Sequence, residues 1–371
     1  MTFSIGIGPN IRKSPYFDAT VRDGVKSFSV YNHMYIPAHF GDADAEYDRL
    51  LNGVAMWDVA AQRQVQLLGP DAGKLAQYLT PRNLTNTKVG QGRYVPLCDH
   101  EGWIINDPVL LKLADDRFWL SVADSDIHLW ATALGREKGW DVSVSEPDVS
   151  PLAIQGPKAE DVAAKLFGDR VRAFRYFGFE EATLAGIPLV LARSGWSKQG
   201  GFELYLQDHT RGAELWDRVK EAGAAFDIGP GAPNDVERLE SGLISYGADM
   251  RWQTYRTTPF EMGFGALIDL EADIDFVGRA ALTRLAASRP KRRRVGLTID
   301  GFPPLVGHPV PLFHGDIEAG FVSEWAYSKR LGIMIAVGVV GTDLPVSSDA
   351  FTILIDGTPY SAQESDIPFV A

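Results

Sequence analysis

The hydrophobic pattern of the chain repeats one unit, a strand followed by a tight turn and a helix. In "RQVQLLGP", residues 63–70, apolar and polar residues alternate until a Gly-Pro turn. The next stretch, "DAGKLAQYLT", puts Leu75 and Leu79 on one helical face behind Asp71, a capping residue type. The same order recurs in "AIQGPKAEDVAAKLFG", residues 153–168. This repetition suits either a duplicated α+β lobe or the chance recurrence of a short Gly-Pro turn before a helix.

Other segments predict more helices in the middle of the chain and strands at its end. Residues 92–123 show successive strand patterns with turns at "DHEG" and "ADDR". Amphipathic spacing predicts helices over 125–138, 209–223 and 234–247. Residues 1–50 show neither pattern and are expected to be irregular. From Val295 onward, short strand patterns alternate with Gly/Pro turns, which indicates a small β-rich C-terminal domain.

Composition narrows the class of protein. The chain has 371 residues, 45% of them hydrophobic and 23% charged, as in globular proteins with a large core. Its net charge of -12 disfavours general binding to nucleic acid or to anionic membranes. The basic run at 289–294 is interpreted as a strand start or a solvated linker.

The sequence also predicts a cytoplasmic location. No apolar run approaches the roughly 20 residues of a membrane span. The N-terminal residues lack the apolar stretch and small-residue cleavage site of a signal peptide. The single cysteine, Cys98, forms no internal disulfide and fits a reducing compartment. The oligomeric state stays open, with a homodimer as the candidate assembly.

Several kinds of catalytic motif are absent from the sequence. "GIGPN" and "GFGALI" lack the context of a dinucleotide-binding loop, and there is no phosphate-binding loop or nucleophile elbow. The seven histidines have no metal-ligand spacing, so no metal site is predicted. Cys98 follows a strand pattern and is interpreted as a core residue. If the protein is an enzyme, a bound organic cosubstrate is expected to carry the reactive group.

Six stretches occur in a characteristic order along nearly the whole chain: "WDVAAQRQVQLLGPDA", "GWIINDPVLLKL", "SPLAIQGPKA", "RSGWSKQGGFELYL", "PNDVERLESGLISYG" and "TPFEMGFG". In this order they resemble the aminomethyltransferase family, which includes the glycine-cleavage T-protein and tetrahydrofolate-dependent demethylases. The resemblance implies an α+β fold, a three-lobed cloverleaf with a C-terminal β-barrel. It implies a folate-binding region of two interleaved lobes over residues 1–275 and a barrel over 276–371.

The chain departs from the T-protein pattern at three places. It has Asn106 before Asp107 where T-proteins have an Asp-Asp pair. It lacks the histidine of the Phe-Asp-Val-Ser-His-Met stretch at 57–62, and it has Pro233-Asn234-Asp235 in place of Ala-Arg-Asp. These changes weaken the case for aminomethyl-lipoyl chemistry, and the last one removes a cation that T-proteins place near folate.

Three segments, "NDPVLLKL", "SGWSKQGG" and "IGPGAPNDVER", are most similar in sequence to the corresponding segments of family members that demethylate dimethylsulfoniopropionate. The expected reaction is methyl transfer to tetrahydrofolate, giving methylthiopropionate and 5-methyltetrahydrofolate. Two alternatives remain. One is a folate-dependent demethylase or aminomethyltransferase acting on a methylated amine or a methoxy compound. The other is a non-catalytic folate-binding protein, whose reactive-cysteine motif this chain lacks.

The resemblance implies roles for residues that bind folate and accept a proton. A carboxylate matches the paired N–H donors of a reduced pterin, and Glu203 in the strand "GFELYL" is the implied partner. Tyr94 and Tyr205 are the other implied folate-binding residues. Asp107 is the implied catalytic residue, as acceptor of the proton lost from the methylated nitrogen. From the residues alone, Glu203 also suits an exposed strand glutamate and Asp107 a turn residue before Pro108.

The substrate side is predicted from the stretch "RSGWSKQGGFELYL", residues 193–206. An aromatic face attracts a sulfonium cation by roughly 0.5–2 kcal/mol and tolerates its methyl groups. Trp196 and Tyr31 are the candidates for this contact, and each also suits an ordinary core aromatic. Lys198 is the candidate partner of a substrate or folate carboxylate, or else a solvated turn residue.

Overall fold

The computed structural model describes residues 7–344 and 351–370. The first six residues, part of the segment for which no signal peptide is predicted, lie outside these ranges. No helix within the ranges is long and apolar enough to cross a membrane. The chain forms two compact units. The first comprises residues up to Leu75, Thr87–Arg93 and Val109–Asn234, and the second comprises Ala76–Asn86, Tyr94–Pro108 and the residues from Asp235 onward.

Helices are interspersed among the strands up to residue 286, and strands alone follow in the described ranges. The helices are α1 (Phe17–Arg22), α2 (Ala43–Asn52), α3 (Ala72–Leu79), α4 (Ile127–Glu137), α5 (Ala159–Phe167), α6 (Gly212–Gly223), α7 (Asp235–Glu240) and α8 (Arg279–Ala286). The strands before α8 are β1 (Ser27–Tyr31), β2 (Met34–His39), β3 (Val54–Asp58), β4 (Gln64–Leu68), β5 (Gln91–Tyr94), β6 (Leu97–Cys98), β7 (Ile104–Asn106), β8 (Val109–Ala114), β9 (Arg117–Ser121), β10 (Ser143–Ser145), β11 (Ser150–Gln155), β12 (Phe179–Leu184), β13 (Ile187–Ala192), β14 (Gly201–Leu206) and β15 (Ile228–Gly231). The strands after α8 are β16 (Arg292–Ile299), β17 (Val310–His314), β18 (Ile317–Ser328), β19 (Ile333–Gly341), β20 (Phe351–Ile355) and β21 (Thr358–Ser365).

The first unit is built on a six-stranded sheet of order β12-β13-β14-β11-β3-β15. All its strand pairs are antiparallel except β15 with β3. On one face, Phe202 and Leu204 join a core that includes Leu215 and Trp216 of α6. The central strands β3 and β11 are buried at every position. A side chain on either face of these central strands is therefore removed from water.

The predicted strand, turn and helix unit is confirmed at both places. β4 leads into α3, and β11 leads into α5. The glycines of the two turns, Gly69 and Gly156, have φ values of 135° and 131°. A Cβ at Gly156 would lie 2.4 Å from the Gly53 carbonyl oxygen, and one at Gly69 would lie 2.7 Å from the Asp141 carbonyl oxygen. Close backbone approach therefore requires glycine in both turns.

The expectation that residues 1–50 are irregular is wrong. This segment contains α1, the hairpin β1–β2 and α2. The hairpin turns at Asn32 and His33, which both have positive φ, and the Asn32 side chain donates to the carbonyls of Ala61 and Val122. Asp42 is the N-cap of α2, and its side chain accepts from the Ala45 amide. Long-range contacts hold the hairpin, so local periodicity did not reveal it.

The helix predicted over 234–247 is shorter than expected, because α7 ends at Glu240. The Leu243 amide donates to the Arg238 carbonyl, and the Gly242 amide donates to the Leu239 carbonyl. With Gly242 at a φ of 66°, these bonds form a Schellman C-cap. The chain then turns into a loop, residues 243–250, that the amphipathic pattern did not predict.

The C-terminal strands form a closed barrel of order β16-β19-β18-β17-β20-β21. This confirms the predicted β-rich C-terminal region and the β-barrel that the resemblance implies. The basic run marks the start of β16, as interpreted. Arg292 pairs with Glu261, and Arg293 pairs with Glu364 across the barrel surface.

Barrel packing gives a first testable prediction. A Cβ at Gly320 in β18 would lie 1.9 Å from the Val339 carbonyl oxygen, and this contact is with backbone that cannot rotate away. We expect Gly320→Ala to lower the free energy of unfolding by about 3 kcal/mol in urea titrations. Gly307→Ala is the control, because a Cβ there meets nothing within 4 Å. Equal stability of the two variants would contradict the tight β18–β19 pairing.

Candidate functional site

The segment between β13 and β14, residues 193–200, folds around the buried side chain of Gln155. The Gln155 Nε2 donates to the Ser194 carbonyl at 3.1 Å, and the Ser197 hydroxyl donates to Gln155 Oε1 at 2.8 Å. A Cβ at Gly195 would lie 1.9 Å from Gln155 Nε2, and one at Gly201 would lie 2.3 Å from it. The buried amide of Gln155 therefore accounts for two of the glycines in this stretch.

Glu203 is a buried carboxylate on β14. Its strand alternates, so Phe202 and Leu204 enter the apolar core, and Glu203 and Tyr205 lie on the opposite face. The Ser194 hydroxyl donates to Glu203 Oε2, and the Tyr205 hydroxyl donates to the same oxygen at 3.1 Å. Burial raises the pKa of Glu203, and the two hydroxyl donors counteract part of that rise. The reading of Glu203 as an exposed strand residue is thus excluded.

Two tyrosines lie near the Glu203 carboxylate, one buried and one exposed. Tyr205 is fully buried, and its ring lies 6.3 Å from that of Trp119, so its hydroxyl serves to hold Glu203. Tyr176 is 58% exposed, and its hydroxyl donates to the Gly195 carbonyl at 3.3 Å. Desolvation, together with the charge of Glu203, raises the pKa of Tyr176 to about 12. The sequence carries no signal for Tyr176, whose aromatic ring the fold brings near the carboxylate.

The predicted substrate residues lie in two places of the first unit. Trp196 is half-buried and Lys198 is exposed, both in the segment that precedes Glu203. Tyr31 ends β1 and packs against the core that contains Phe202, on the other face of β14 from Glu203. The structure thus gathers Trp196 and Lys198 next to the Glu203 strand and places Tyr31 on the N-terminal hairpin. Their contacts with a substrate stay predictions.

Asp107 and Tyr94 meet in the second unit. The Tyr94 hydroxyl donates to Asp107 Oδ2 at 2.9 Å, and the Tyr94 ring packs edge-on against Phe264 at 5.6 Å. Desolvation, together with a smaller effect of the charge of Asp249, raises the pKa of Asp107 to about 7, and the hydrogen bonds from Tyr94 and the Tyr246 amide oppose this rise. A carboxyl that titrates near neutral pH is suited to exchange a proton with a bound molecule.

A second carboxyl with a raised pKa lies at the end of β3. Asp58 is buried and accepts from the Ser14 hydroxyl at 2.5 Å and from the Ala60 amide at 3.2 Å. Desolvation raises its pKa to about 7. The Ser14 contact attaches the N-terminal segment to the sheet, 44 residues away in the chain, which gives Asp58 a structural task.

A cavity of about 570 Å³ opens beside Ser14 in the first unit. Its lining contains none of the predicted site residues. Arg12 and Arg63 on its wall both pair with Glu146, and His209 pairs with Asp148. The lining thus carries three cationic side chains, Arg12, Lys13 and Arg63, against the carboxylates of Glu146 and Asp148.

Two family models cover most of the chain. The model of the GCVT N-terminal domain matches residues 16–272, and that of the glycine cleavage T-protein C-terminal barrel domain matches residues 292–370. The protein therefore belongs to the aminomethyltransferase family, that of the glycine-cleavage T-protein. It is a folate-dependent enzyme of one-carbon transfer with tetrahydrofolate as its cosubstrate, as the resemblance implied.

Individual relatives narrow this assignment. A dimethylsulfoniopropionate demethylase of Ruegeria pomeroyi is 41% identical over 330 residues, 89% of each chain. An aminomethyltransferase of Listeria monocytogenes is 28% identical over 335 residues, 89% of this chain and 90% of its own. The crystal structure of aminomethyltransferase T from Bartonella henselae matches with a TM-score of 0.85 at 24% identity, covering 97% of this chain and 98% of its own. The structural match confirms the predicted fold class.

The raised pKa of Asp58 predicts a pH-dependent stability difference. A carboxyl whose pKa rises on folding stabilises the protein while protonated, and this contribution is lost as the pH rises from about 4 through about 7. We expect Asp58→Asn to gain about 4 kcal/mol relative to the parent between pH 4 and pH 8. Urea titrations at several pH values measure the difference. Asp116→Asn, at an exposed turn, is the control, and a parallel course of both variants would contradict the burial argument.

Proposed function

We propose that this protein transfers a methyl group from dimethylsulfoniopropionate to tetrahydrofolate, giving methylthiopropionate and 5-methyltetrahydrofolate. The observation that carries the proposal is the 41% identity, over 89% of each chain, to a demethylase of that substrate. The aminomethyltransferase of Listeria monocytogenes reaches 28% over a similar length. The departures from the T-protein pattern at 57–62, Asn106 and Asn234 point in the same direction.

Glu203 is the proposed pterin-binding carboxylate. Its Oε2 already accepts from Ser194 and Tyr205, which leaves Oε1 to accept the N–H donors of the pterin. Because β14 is a central strand and the carboxylate is held by two hydroxyls, its direction is set before folate binds. Tyr205 contributes by holding Glu203, and Tyr94 is proposed as the further folate-binding residue, beside Asp107.

The sulfonium is proposed to bind against aromatic side chains. Trp196 and Tyr31 are the candidates, because an aromatic face attracts a cation and accommodates methyl groups. Lys198, exposed in the same segment as Trp196, is the candidate partner of the substrate carboxylate. A net charge of -12 would otherwise repel an anionic group.

The proposed transfer is a direct displacement. The methyl carbon leaves sulfur, which keeps both electrons of the broken bond and departs as a neutral thioether. Tetrahydrofolate supplies the nucleophilic nitrogen at position five and carries the methyl group away. The leaving thioether needs no proton, so the protein acts by alignment, which provides up to about 7–11 kcal/mol.

Asp107 is the proposed proton acceptor. Positive charge leaves sulfur and arises on the methylated nitrogen, which then releases its proton. Desolvation is the main cause that raises the pKa of Asp107 to about 7. The carboxylate form is therefore available above neutral pH, and the acid form is stable enough to keep the proton.

Three further assignments belong to this proposal. Residues 1–275 form the folate-binding region and 276–371 the barrel domain. The protein is proposed to work in the cytoplasm, because a single cysteine cannot form an internal disulfide and fits a reducing compartment. A homodimer is the candidate assembly.

The substrate assignment is tested with purified protein under anaerobic conditions. Tetrahydrofolate and dimethylsulfoniopropionate are supplied, and methylthiopropionate and 5-methyltetrahydrofolate are separated by chromatography. We expect both products in equal amounts. Parallel reactions with dimethylglycine or a methoxybenzoate distinguish a demethylase for amines or ethers. Turnover only on one of those donors, or folate binding without any turnover, would overturn the sulfonium assignment.

The role of Glu203 is tested by Glu203→Gln. The variant keeps the shape of the side chain and removes its charge, so tetrahydrofolate affinity should fall about ten- to a hundredfold. Its unfolding free energy should change by less than about 1 kcal/mol, because the buried charge is removed while the glutamine oxygen can still accept from Ser194 and Tyr205. Calorimetric titration and urea unfolding measure the two effects. Glu181→Gln, on an exposed position of the same sheet, is the control; unchanged affinity in both would exclude Glu203 from the folate site.

A further inference from the structure

The stretch "PNDVERLESGLISYG" carries buried charges that the proposed function leaves without a task. Glu237, Arg238 and Glu240 of α7 are each 0% exposed. Charged side chains are rarely so buried unless they are paired, and burying a pair adds little stability by itself. Glu240 has a structural task, since Ser328 and Arg330 both donate to it from the end of β18 and the turn that follows. Arg238 calls for a separate explanation.

Arg238 holds the loop 243–250 that follows α7. Its Nη1 donates to Asp249 Oδ2 at 2.8 Å and to the Leu243 carbonyl at 3.1 Å, and Nη2 pairs with Glu324 of β18. Asp249 also accepts from the Ser245 amide at 3.0 Å. One guanidinium thus joins the first residue of the loop to a residue near its end, and the Asp249 carboxylate closes the loop from inside.

Two other side chains keep the loop in this shape. Arg294 Nη1 donates to the Gly242 carbonyl at 3.1 Å. The Tyr255 hydroxyl donates to the carbonyls of Gly247 and Ala248 at 2.8 and 3.0 Å. Within this fixed loop lies Tyr246, whose backbone amide donates to the Asp107 carboxyl. The shape of the loop therefore determines one of the hydrogen bonds that Asp107 receives.

Asp249 also acts on Asp107 through its charge. The charge of Asp249 raises the pKa of Asp107 and that of Tyr94. Asp249 has a cationic partner at 2.8 Å, whereas Asp107 receives bonds from a phenol and from backbone amides. Other charged groups surround Asp107 and Asp249. Arg238 forms ion pairs with Asp249, Glu324 and Asp235. The charge of Arg294 interacts with Asp249 and Tyr94. A carboxylate charge near Asp107 disfavours a second negative charge there, so Asp107 binds a proton more readily.

We infer that Asp249, held by Arg238, is a positioning residue for methyl transfer: it closes the loop 243–250 so that the Tyr246 amide reaches Asp107, and it places a second carboxylate beside Asp107. The inference rests on the proposed role of Asp107 as proton acceptor. Asp249 itself touches no reacting atom and acts through Asp107. The carboxylate of Asp249 makes Asp107 a stronger proton acceptor than the hydrogen bonds to Asp107 alone would make it.

The experiment follows kcat/KM for demethylation from about pH 5.5 to about pH 8.5 in the parent, Asp107→Asn, Asp249→Asn and Ser323→Ala. The parent should lose activity below about pH 7, as Asp107 becomes protonated. Asp107→Asn should be slower and lack this acidic limb. Asp249→Asn should move the limb down by roughly one pH unit, because the charge that raises the Asp107 pKa is gone. Ser323→Ala removes a hydroxyl 3.4 Å from Asp249 Oδ1, keeps every charge and should leave the limb in place.

The outcomes distinguish the role of Asp249 from that of Asp107. An acidic limb that is lost in Asp107→Asn but unmoved in folded Asp249→Asn overturns the role of Asp249 alone. A limb that persists in Asp107→Asn overturns the proposed role of Asp107, and with it this inference. If Asp249→Asn does not fold by thermal melting, the double variant Arg238→Gln/Asp249→Asn removes both charges of the pair, which proteins tolerate better than loss of one. A smaller downward shift is expected there, because loss of the Arg238 cation opposes part of the effect of losing the Asp249 carboxylate, and an unmoved limb again overturns the inference.

Discussion

The desolvation of carboxyl groups is the constraint on which the roles proposed for Glu203 and for Asp107 both depend. Removing a carboxylate from water is unfavourable by several kcal/mol unless donors or cations compensate it. Glu203 is compensated by two hydroxyls on a central strand, and Asp107 by a phenol and backbone amides. In the described part of the chain, neither Glu203 nor Asp107 is paired with a full positive charge, so the pKa values of both are raised. Both carboxyls can therefore be stabilised by a ligand that offers N–H groups or a proton.

The two carboxyls differ in what surrounds them, and the difference matches the tasks proposed for them. Glu203 lies on a rigid sheet face where hydroxyl donors fix one oxygen, an arrangement suited to orientation of a bound ring. Asp107 lies after a short strand and is contacted by a loop that a buried ion pair closes. Its pKa near 7 depends on desolvation and on a second carboxylate, an arrangement suited to proton exchange.

The choice of a sulfonium over an amine donor has a physical basis in the leaving group. A neutral thioether departs without a proton, so an enzyme for this donor needs alignment and a late proton acceptor, whereas an amine has to be protonated or charged to depart. The chain carries no histidine at 57–62, where T-proteins have one, and no cation at Asn234. The residues proposed for its site thus offer proton acceptors and aromatic surfaces more than acids.

The sequence by itself determined the elements that depend on neighbours in the chain. Alternation and Gly-Pro turns predicted β4–α3 and β11–α5 correctly, and the short strands after Val295 predicted the β-rich end. The resemblance singled out Tyr94 and Asp107, which the structure brings together, and Glu203, which it buries.

Contacts between residues far apart in the chain could not be predicted from the sequence. The β1–β2 hairpin is held by Ala61 and Val122, and Tyr176 approaches Glu203 from another strand's loop. The helix α7 ends at Glu240 because of a C-cap, although the amphipathic pattern continues beyond it. The contact of Asp249 with Arg238 belongs to the closed loop that follows, which helical periodicity did not predict. Burial and charge pairing are sums over the whole fold, so only the tertiary structure decided which carboxyls lose their water and which keep a cation.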